Sequence, residues 1–514
     1  MYFPSMTEVR ELAKQYALIP VGKKLFADTQ TPIRLYQSVT KNPYSFLLES
    51  AEGGERRGRW SFMGTDPFLI FRSRDGVIHI KVGELEQELT SNEPVNVLQE
   101  LVEKYRSPQL AGAPPFLGGA VGYVGFEAVT TFEAVPRPQG DDDPMTDDIH
   151  VAFYDRLLIY DHLKQDLTLV LNLHVEEGME EEALMKKWEE TKRELDRWTA
   201  ELQAQAPEMS NISSLHPAST EIAVAGERIY SNTTKEQYMS VVERAQEHIR
   251  RGDIFQIVPS QRWTWEEAPS ALAVYRVLRT LNPSPYMYHL SLGEEEIVGT
   301  SPEMLVRVQE GKVETRPIAG TRPRGASEAE DEALAQELLA DEKERAEHVM
   351  LVDLGRNDLG RVARYGSVKV TEEMKIEKYS HVMHMVSHVV AELAEGKSAL
   401  DAFMSCFPAG TVSGAPKVKA MQLLGEMEPG ARGVYAGAIC YLSFSGNLDS
   451  CIAIRTLHFK GGRATIQAGG GVVADSNPEK EYEESCNKAR GMIRALNMAE
   501  HVFHTDNQLR RVTR

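Results

Sequence analysis

Two carboxylates three residues apart could bind a cation or transfer a proton. Glu344 and Glu347 fall in residues 328–354, whose composition predicts one long helix, and this spacing places both side chains on one helical face. His348 and an apolar run follow them, so the pair also fits the solvated flank of a partly buried helix. The residues alone leave both interpretations open.

A second helix with its own carboxylates is predicted to begin near the C-terminus. Asn477 is a favourable N-cap, and Pro478 suits the first helical position. Three charged side chains follow along one face of this helix: Glu481, Glu484 and Lys488. Carboxylates from two helices could hold a hard cation such as Mg²⁺, with water completing its octahedral coordination. The sequence does not show that the two helices meet.

An arginine and a glycine run between these helices could bind anions. Residues 452–457 predict a strand with Arg455 on an apolar face, where an arginine needs an acidic partner or an anionic ligand. Residues 464–468 predict a further strand, which runs into three consecutive glycines: Gly469, Gly470 and Gly471. The glycine amides could form an anion-binding nest, and a hairpin bend with positive φ is the alternative.

A glycine–proline turn rich in arginine is predicted within residues 314–325, which have the sequence ETRPIAGTRPRG. A strand is expected to enter this turn. The amides around Gly320 and Thr321 could approach an anionic group closely, because glycine has no Cβ. A tight turn with solvated arginines fits the same residues equally well.

Three histidines are spaced so that they would share one helical face: His381, His384 and His388. Such a group suggests a zinc site. No cysteine or H-E-x-x-H arrangement supports it, so we do not predict zinc here.

The composition excludes several classes of protein. The 514 residues include 57 basic and 76 acidic side chains, which give a net charge of −19. That balance argues against general binding to nucleic acid or to an anionic membrane, since both repel negative charge. Four cysteines without a C-x-x-C pair exclude a disulfide scaffold or a zinc ribbon and fit a reducing cytosol. We see no signal peptide and no long apolar run, so we expect a cytoplasmic protein that spans no membrane.

The composition of the chain shifts near residue 220. Before it, strands are predicted at residues 68–71 and 157–160, a solvated loop at the DDDP sequence of 141–144, and a charged helix over 176–205. A polar, proline-containing stretch over residues 206–221 then marks the best boundary. After it come a predicted helix over residues 235–251 and a strand over 254–258, followed by alternating strands and helices.

Ordered motifs along most of the chain resemble those of the chorismate-utilising enzymes, and most closely those of the large subunits of anthranilate synthases. The motifs are LLES at 47–50, DIFQIVPSQR at 253–262, PIAGTRPRG at 317–325, AEH at 346–348, DLGRND at 353–358, PAGTVSGAPK at 408–417, RGVYAG at 432–437 and residues 467–475. The resemblance implies an α+β fold, with a β-sandwich-like core of large antiparallel sheets flanked by helices. It also implies four segments: an N-terminal domain with a tryptophan regulatory region (1–175), a helix and linker (176–225), a chorismate-binding catalytic domain (226–500) and a C-terminal tail (501–514).

Two positions separate the reactions within this family. Enzymes that add water to chorismate carry a lysine base where this sequence has Gln256. A neutral amide cannot deprotonate water, whereas ammonia is already a nucleophile. Aminodeoxychorismate synthases carry a nucleophilic lysine where this sequence has Ala319. The resemblance therefore implies anthranilate formation. The alternatives are an aminodeoxychorismate synthase and a tryptophan-responsive scaffold subunit without catalysis.

The resemblance also implies how the site binds its ligands. Glu347 and Glu484 resemble the ligands of a Mg²⁺ ion that holds the ring carboxylate of chorismate, with Glu481 nearby. The residues that resemble the rest of the substrate site are Gly320, Thr321, Tyr435, Arg455, Gly469, Gly470, Gly471 and Lys488. Arg455 and the glycine amides would bind the enolpyruvyl carboxylate.

The implied reaction has two stages. Ammonia adds at C2 of chorismate while the C4 hydroxyl leaves, and Glu344 is the candidate general acid for that hydroxyl. This role needs a protonated carboxyl and hence a raised pKa. His384 and Thr411 match the positions that the family uses in the second stage, in which pyruvate is eliminated and the ring becomes aromatic.

The resemblance finally implies a partner and an inhibitor. No Gly-x-Cys-x-Gly pattern surrounds any of the four cysteines, so a separate glutaminase subunit is expected to supply ammonia, in a heterotetramer. Tryptophan is expected to bind at the LLES motif and the stretch NPSPYM at 282–287, through Ser50, Pro285, Tyr286 and Met287. Without the resemblance, the last three residues would be interpreted as a turn that packs an aromatic ring.

Overall fold

The computed structural model describes residues 2–40, 42–51, 58–138, 140, 146–204, 228–379 and 382–512, and within them the side chains up to residue 503. The predicted loop at 141–144, the linker at 206–221 and His381 lie outside the described residues. No helix in the described part of the chain is both long and apolar enough to cross a membrane.

The strands are numbered along the chain. They are β1 (Tyr2–Phe3), β2 (Leu18–Phe26), β3 (Tyr44–Glu49), β4 (Trp60–Thr65), β5 (Leu69–Arg74), β6 (Val77–Val82), β7 (Leu85–Thr90), β8 (Gly119–Val124), β9 (Ile149–Tyr154), β10 (Arg156–Asp161), β11 (Asp166–His174), β12 (Ile229–Ser231), β13 (Gln256–Ile257), β14 (Ser260–Trp265), β15 (Tyr286–Leu292), β16 (Glu295–Ser301), β17 (Met304–Gln309), β18 (Lys312–Thr315), β19 (Ile318–Pro323), β20 (Lys369–Lys378), β21 (Val382–Glu392), β22 (Gly414–Ala415), β23 (Ala438–Ser443), β24 (Leu448–Ile452), β25 (Thr456–Lys460) and β26 (Arg463–Gly469).

The α-helices are numbered in the same way, and a 3₁₀ helix covers Phe126–Thr131. They are α1 (Met6–Leu12), α2 (Pro32–Val39), α3 (Pro94–Lys104), α4 (Glu181–Ala204), α5 (Lys235–Arg251), α6 (Ala271–Leu281), α7 (Glu328–Ala340), α8 (Glu342–Gly360), α9 (Ala399–Cys406), α10 (Gly410–Ser413), α11 (Lys417–Met427) and α12 (Pro478–Val512).

Two large antiparallel sheets contain almost all of these strands. Sheet 1 has the order β1-β2-β11-β10-β4-β3-β15-β16-β25-β26-β14-β12. Sheet 2 has the order β19-β21-β18-β17-β24-β23-β8-β9-β5-β6-β7, and β20 pairs with β21 outside that order. The short strands β13 and β22 form a pair of their own.

Both sheets mix strands from the two sides of the predicted boundary. In sheet 1, β3 pairs with β15, and Glu49 lies opposite Met287. In sheet 2, β8 pairs with β23, and Gly122 lies opposite Cys440. The composition shift near residue 220 therefore separates two stretches of sequence that share both sheets, and the division into domains stays a prediction.

The inner faces of the sheets pack on each other through aromatic side chains. Phe116 stacks on Tyr441 with ring centroids 4.5 Å apart, and Phe62 meets Phe116 edge-on at 5.6 Å. The outer face of sheet 1 packs against α4, α6 and α12, and that of sheet 2 packs against α5, α9 and α11. The predicted α+β fold, with a sandwich of large antiparallel sheets flanked by helices, is confirmed.

The predicted long helix over residues 328–354 is wrong, because the structure divides it into α7 and α8. Asp341 lies between the two helices, and its side chain accepts hydrogen bonds from the backbone N–H groups of Lys343 (3.0 Å) and Glu344 (3.1 Å). An aspartate that caps a new helix competes with continuation of the old one. Other helix predictions are confirmed: α5 covers residues 235–251, and α12 begins at Pro478 after an Asn477 cap.

Arg455 does not lie within a strand, contrary to the prediction. The strand ends at Ile452 in sheet 2, and the next begins at Thr456 in sheet 1. Arg455 lies at this crossover between the sheets and has a φ of +50°, in the left-handed region. Continuous apolar sequence concealed the break, since a chain that changes sheets stays buried on both sides of it.

Three further local predictions are corrected. The turn expected around Gly320 is part of β19, with a bulge where the register to β21 shifts between Ala319 and Thr321. His384 and His388 lie on the strand β21, and no helix presents them together. The strand predicted over residues 254–258 shrinks to the two residues of β13.

Candidate active site and a second cavity

Carboxylates of α8 and α12 meet beside the glycine run at the end of β26. A Cβ placed on Gly470 would lie 3.0 Å from Oε2 of Glu481 and 3.8 Å from Cδ of Glu484. Burial, followed by the like charges of Glu344 and Glu484, raises the pKa of Glu347. Burial and then the charge of Glu484 raise the pKa of Glu481. The structure therefore brings together the four glutamates that the sequence placed on two helices.

This cluster fits a divalent cation. Oε2 of Glu481 is buried without a hydrogen-bond partner among the described residues. Carboxylates that share a desolvated site repel each other, and a bound cation removes that repulsion. Oxygen ligands are those that Mg²⁺ prefers. Glu347 and Glu484 are suited to hold the ion, and Oε1 of Glu484 also pairs with the ammonium group of Lys488 at 2.8 Å.

A possible metal-binding triad lies elsewhere, on and next to β9 and β16. Asp147, His150 and Glu295 each bring one ligand atom within 4.8 Å of the others. Nδ1 of His150 is already 2.8 Å from Oε1 of Glu295, and Nε2 of His458 is 2.7 Å from Oε2 of Glu295. Asp147 accepts a hydrogen bond of 2.7 Å from Arg72. These bonds use the ligand atoms, so we interpret the group as a buried hydrogen-bonded cluster that joins the two sheets.

The bulge in β19 places Gly320 and Thr321 against His384. Gly320 has a φ of +69°, and a Cβ there would lie 3.1 Å from Oε2 of Glu344. Nδ1 of His384 lies 3.1 Å from the carbonyl oxygen of Gly320 and 3.0 Å from the hydroxyl of Thr321. Burial lowers the pKa of His384, so its ring is neutral at neutral pH. Because a carbonyl can only accept, Nδ1 donates to it and Nε2 is left as a base.

Glu303 is a candidate residue that the sequence analysis missed. This carboxyl is largely buried just before β17, and burial raises its pKa to about 7 although Thr411, Arg455 and Lys488 nearby oppose the shift. A protonated carboxyl at neutral pH is what a general acid requires. Only its position between Pro302 and an apolar strand could have drawn attention to it.

Arg455 itself is exposed and lies close to both Glu303 and His384, on whose pKa values its charge acts. Thr411, on α10, has a buried hydroxyl. The expected neighbours of the substrate's carboxylate and the residues expected to act in elimination thus share one region. An anionic ligand bound in this region could pair with the guanidinium of Arg455 in place of a protein carboxylate.

The three glycines at the end of β26 and just after it are closely packed, and Gly469 has the least room for a side chain. None of them has a positive φ, so the alternative of a hairpin bend is not supported. A Cβ on Gly469 would lie 2.2 Å from the carbonyl oxygen of Pro259, and one on Gly471 would lie 2.8 Å from Nε2 of Gln256. Lys488 donates a hydrogen bond of 2.9 Å to the carbonyl oxygen of Gly469.

Tyr435 and Gln256 complete the walls of the same region. Burial raises the pKa of Tyr435 to about 12, and the backbone of Gly469 contacts its hydroxyl. The side chain of Gln256 hydrogen-bonds Glu347, the predicted metal ligand. A neutral amide, which cannot deprotonate water, therefore lies beside the carboxylate cluster.

The four residues predicted to bind an inhibitor line a separate cavity of about 160 Å³: Ser50, Pro285, Tyr286 and Met287. The cavity lies where β3 meets β15 and is bordered by strands of sheet 2. Its walls are mostly apolar and aromatic, with Leu48, Phe62 and Tyr441 among them. A small amphipathic molecule with an aromatic part fits such a lining.

Polar groups at one wall of this cavity form hydrogen bonds with each other. The hydroxyl of Tyr286 donates a hydrogen bond of 2.9 Å to Oδ1 of Asp449. Arg307 donates to Oδ2 of Asp449 at 2.9 Å and to the Tyr286 hydroxyl at 3.2 Å. Arg307 also pairs with Glu314, which in turn contacts His388 on β21 at 3.0 Å.

The fold is that of the chorismate-binding enzymes, and residues 43–494 match the family model described by that name. The anthranilate synthase component 1 of Acetivibrio thermocellus is 47% identical over 508 residues, which cover 98% of this chain and all of the relative. The protein of the same name from Aquifex aeolicus is 44% identical over 96% of this chain and 98% of its own.

Solved structures agree with these relatives. The crystal structure of anthranilate synthase component I from Streptococcus pneumoniae superimposes with a TM-score of 0.74 at 36% identity, and covers 91% of this chain and 98% of that one. The isochorismate synthase MenF from Escherichia coli shares the fold, with a TM-score of 0.65 at 20% identity over 95% of this chain and 98% of that one. This chain belongs to the chorismate-binding enzymes and, among them, to the anthranilate synthase component 1 family.

Proposed function

We propose that this enzyme aminates chorismate at C2 with ammonia and eliminates pyruvate to form anthranilate, the first committed step of tryptophan biosynthesis. The relatives that match nearly the whole chain are named for this product. The observation that carries the proposal is the neutral Gln256, bonded to Glu347 where activation of water would need a base. Ammonia needs no such base, and Ala319 leaves no lysine for covalent attack.

Chorismate carries two carboxylates, and the site offers a separate partner for each. Glu347 and Glu484, with Glu481 beside them, would hold Mg²⁺, which neutralises the ring carboxylate when bound. Arg455, Tyr435 and the amides of residues 469–471 bind the enolpyruvyl carboxylate. Gly320, Thr321 and Lys488 border the ring between these two positions.

The amination step needs a proton for the departing C4 hydroxyl. Glu344 lies beside Gly320, but its carboxyl also pairs with the guanidinium of Arg322 at 3.3 Å. Glu303 has a pKa of about 7 and lies near Arg455 and Thr411. We therefore propose Glu303 as a second candidate for the general acid, next to Glu344.

The elimination step removes the proton at C2 and expels pyruvate from C3. Nε2 of His384 is the free base of a neutral ring whose Nδ1 is fixed by Gly320. It is suited to accept the C2 proton. Thr411, with its hydroxyl next to Glu303, is suited to contact the leaving enolpyruvyl oxygen.

Ammonia is proposed to come from a separate glutaminase subunit, in a heterotetramer. The relatives' name, component 1, implies a second component. All four cysteines of this chain are buried, so none is placed to act as the nucleophile of a glutaminase. Glutamine should therefore serve as the nitrogen donor only when the second subunit is present, and ammonium should replace it.

Tryptophan is proposed to bind in the cavity lined by Ser50, Pro285, Tyr286 and Met287 and to inhibit the enzyme. The cavity contains the four predicted residues, and its aromatic and polar walls suit an indole with an amino acid group. Coupling between two binding sites is reciprocal. If tryptophan weakens the binding of chorismate, chorismate must therefore weaken the binding of tryptophan by the same factor.

The test is an anthranilate fluorescence assay with purified protein, chorismate, Mg²⁺ and ammonium chloride at alkaline pH, without glutamine. Fluorescence that requires the metal and falls when tryptophan is added supports the proposed reaction, the Mg²⁺ requirement and the inhibition by tryptophan. Chorismate consumption without release of pyruvate would indicate an aminodeoxychorismate synthase. Absence of consumption would indicate a scaffold subunit, even though the carboxylates are intact.

A further inference from the structure

A buried ion pair outside the catalytic set connects several segments of the active site. Arg432 and Glu428 pair at 2.7 Å, and their side chains are only 1% and 6% exposed. Neither residue has a role in the reaction proposed above. Burial of an arginine costs free energy unless its N–H groups are all paired, so its hydrogen-bond partners show which parts of the chain it joins.

The guanidinium of Arg432 reaches three parts of the chain. It donates to both carboxylate oxygens of Glu428, at 2.8 and 2.7 Å. It also donates to the carbonyl oxygen of Val412 and to that of Val258, each at 2.7 Å. Val412 follows Thr411 directly, and Val258 comes two residues after Gln256. Four donor bonds in fixed directions thus join segments that lie far apart in the sequence.

The backbone and the partner of Arg432 are held equally firmly. The carboxylate of Glu127 accepts hydrogen bonds from the N–H groups of Arg432 (2.7 Å) and Gly433 (2.8 Å). Oε1 of Glu428 accepts bonds from the N–H (2.7 Å) and hydroxyl (2.8 Å) of Ser260. The short loop from Arg432 to Tyr435 is therefore anchored at its start. Tyr435, which is proposed to contact the substrate, lies three residues after that anchor.

The segments that Arg432 joins are too short to be stable as isolated elements. Thr411 lies on α10, which has four residues, and Gln256 lies on β13, which has two and pairs with the two of β22 and, through Ile257, with Val472. Elements of one turn or two residues have little stability of their own. Backbone hydrogen bonds join the two segments, such as the one from the N–H of Val258 to the carbonyl oxygen of Ser413 at 3.1 Å, and Arg432 adds a side-chain partner that is common to both.

We propose that Arg432, fixed by Glu428, is a positioning residue that sets the placement of Thr411, Gln256 and Tyr435 relative to one another. Lysine cannot replace it, because a single ammonium group cannot reproduce a planar fork with bonds in four directions. This proposal rests on the proposed function. It predicts that loss of the fork disturbs the elimination step, which uses Thr411, more than chorismate binding.

The variants are Arg432→Lys and Glu428→Gln, with Asp161→Asn as the matched control. Asp161 is also a buried carboxylate in an ion pair, at 2.8 Å from Arg59, on β10 and apart from these segments. We expect kcat of Arg432→Lys to fall by about tenfold or more, with a smaller change in the KM for chorismate. The aminated intermediate, which keeps the pyruvyl group, should form a larger share of the released products, as measured by chromatography. Glu428→Gln should act in the same direction, and the control should keep the wild-type ratio.

Amide hydrogen exchange of the folded variants tests the same inference without turnover. Peptides covering residues 254–258 and 409–415 should exchange about tenfold faster in Arg432→Lys, while peptides from α5 stay unchanged. Wild-type exchange in both segments, or a product ratio that is unaltered in a folded variant, would overturn the positioning role. If the wild-type protein forms no anthranilate, the proposed function fails, and the exchange result still decides whether Arg432 holds these segments.

Discussion

Replacement of Glu303 by glutamine tests the raised pKa of this carboxyl through stability. Its pKa rises from 4.5 to about 7 in the folded protein, so the ionised form is disfavoured there. The penalty is absent below pH 4.5, grows as the pH rises and is complete above pH 7. At about 1.4 kcal/mol per pH unit, it reaches about 3 kcal/mol, an upper value because the carboxyl keeps some contact with solvent. Glutamine has a similar shape and never ionises.

Glu303→Gln should therefore be more stable than the wild type at pH 8 and gain little at pH 5. For a chain of this size, about 3 kcal/mol corresponds to a rise in Tm of about 3 °C, which calorimetry at both pH values can measure. Turnover should fall by about 100-fold or more if the carboxyl is the general acid. Rates should be expressed per free ammonia, so that the titration of ammonium does not distort the pH profile. Equal stability differences at the two pH values would refute the reasoning about burial.

Glu344→Gln is the companion variant for the assignment of the acid. If Glu303 donates the proton, Glu344→Gln keeps the fall in activity as the pH rises through about 7, and Glu303→Gln loses it. The reverse pattern would return the role to Glu344. The assignment of the general acid to Glu303 and its assignment to Glu344 thus predict opposite results in the same pH profiles.

Three further substitutions test the binding sites. Glu484→Gln should raise the Mg²⁺ concentration needed for half-maximal activity by about tenfold or more, and an unchanged metal requirement would remove it from the metal site. Arg455→Ala should raise the KM for chorismate by about 10- to 100-fold or abolish turnover, since a charged hydrogen bond to a carboxylate is lost; unaltered steady-state kinetics would contradict that contact. Ser50→Phe should fill part of the 160 Å³ cavity and relieve inhibition by tryptophan at wild-type turnover, measured by titration of the inhibitor. Inhibition that persists would place the tryptophan site elsewhere.

Sequence patterns predicted the parts of this fold that are governed by local rules. The Asn477 cap and Pro478 predicted the start of α12, and the helix predicted over residues 235–251 coincides with α5. The residues expected in the active site do converge, because ordered motifs carry tertiary information that no single pattern contains. The four residues predicted to bind tryptophan also line one cavity, and its role stays a prediction.

The missed features all depend on tertiary structure. The break at Arg455 exists because the chain passes from one sheet to the other, which an apolar sequence does not reveal. The pKa of Glu303 is raised by burial, and the sequence around a carboxylate that precedes a strand does not indicate how deeply it is buried. Asp341 was the exception, since a capping residue inside a long predicted helix is a local signal that could have been used.

The mixed strand order of the two sheets also constrains how the chain can fold during its synthesis. Strand β3 has no partner on one side until β15 has been made, and β8 likewise waits for β23. Contacts between such distant residues form slowly, and the unpaired strand edges and apolar faces stay exposed meanwhile. We expect the N-terminal half to aggregate or bind chaperones when it is produced alone, and to become protease-resistant only when the C-terminal half is supplied with it.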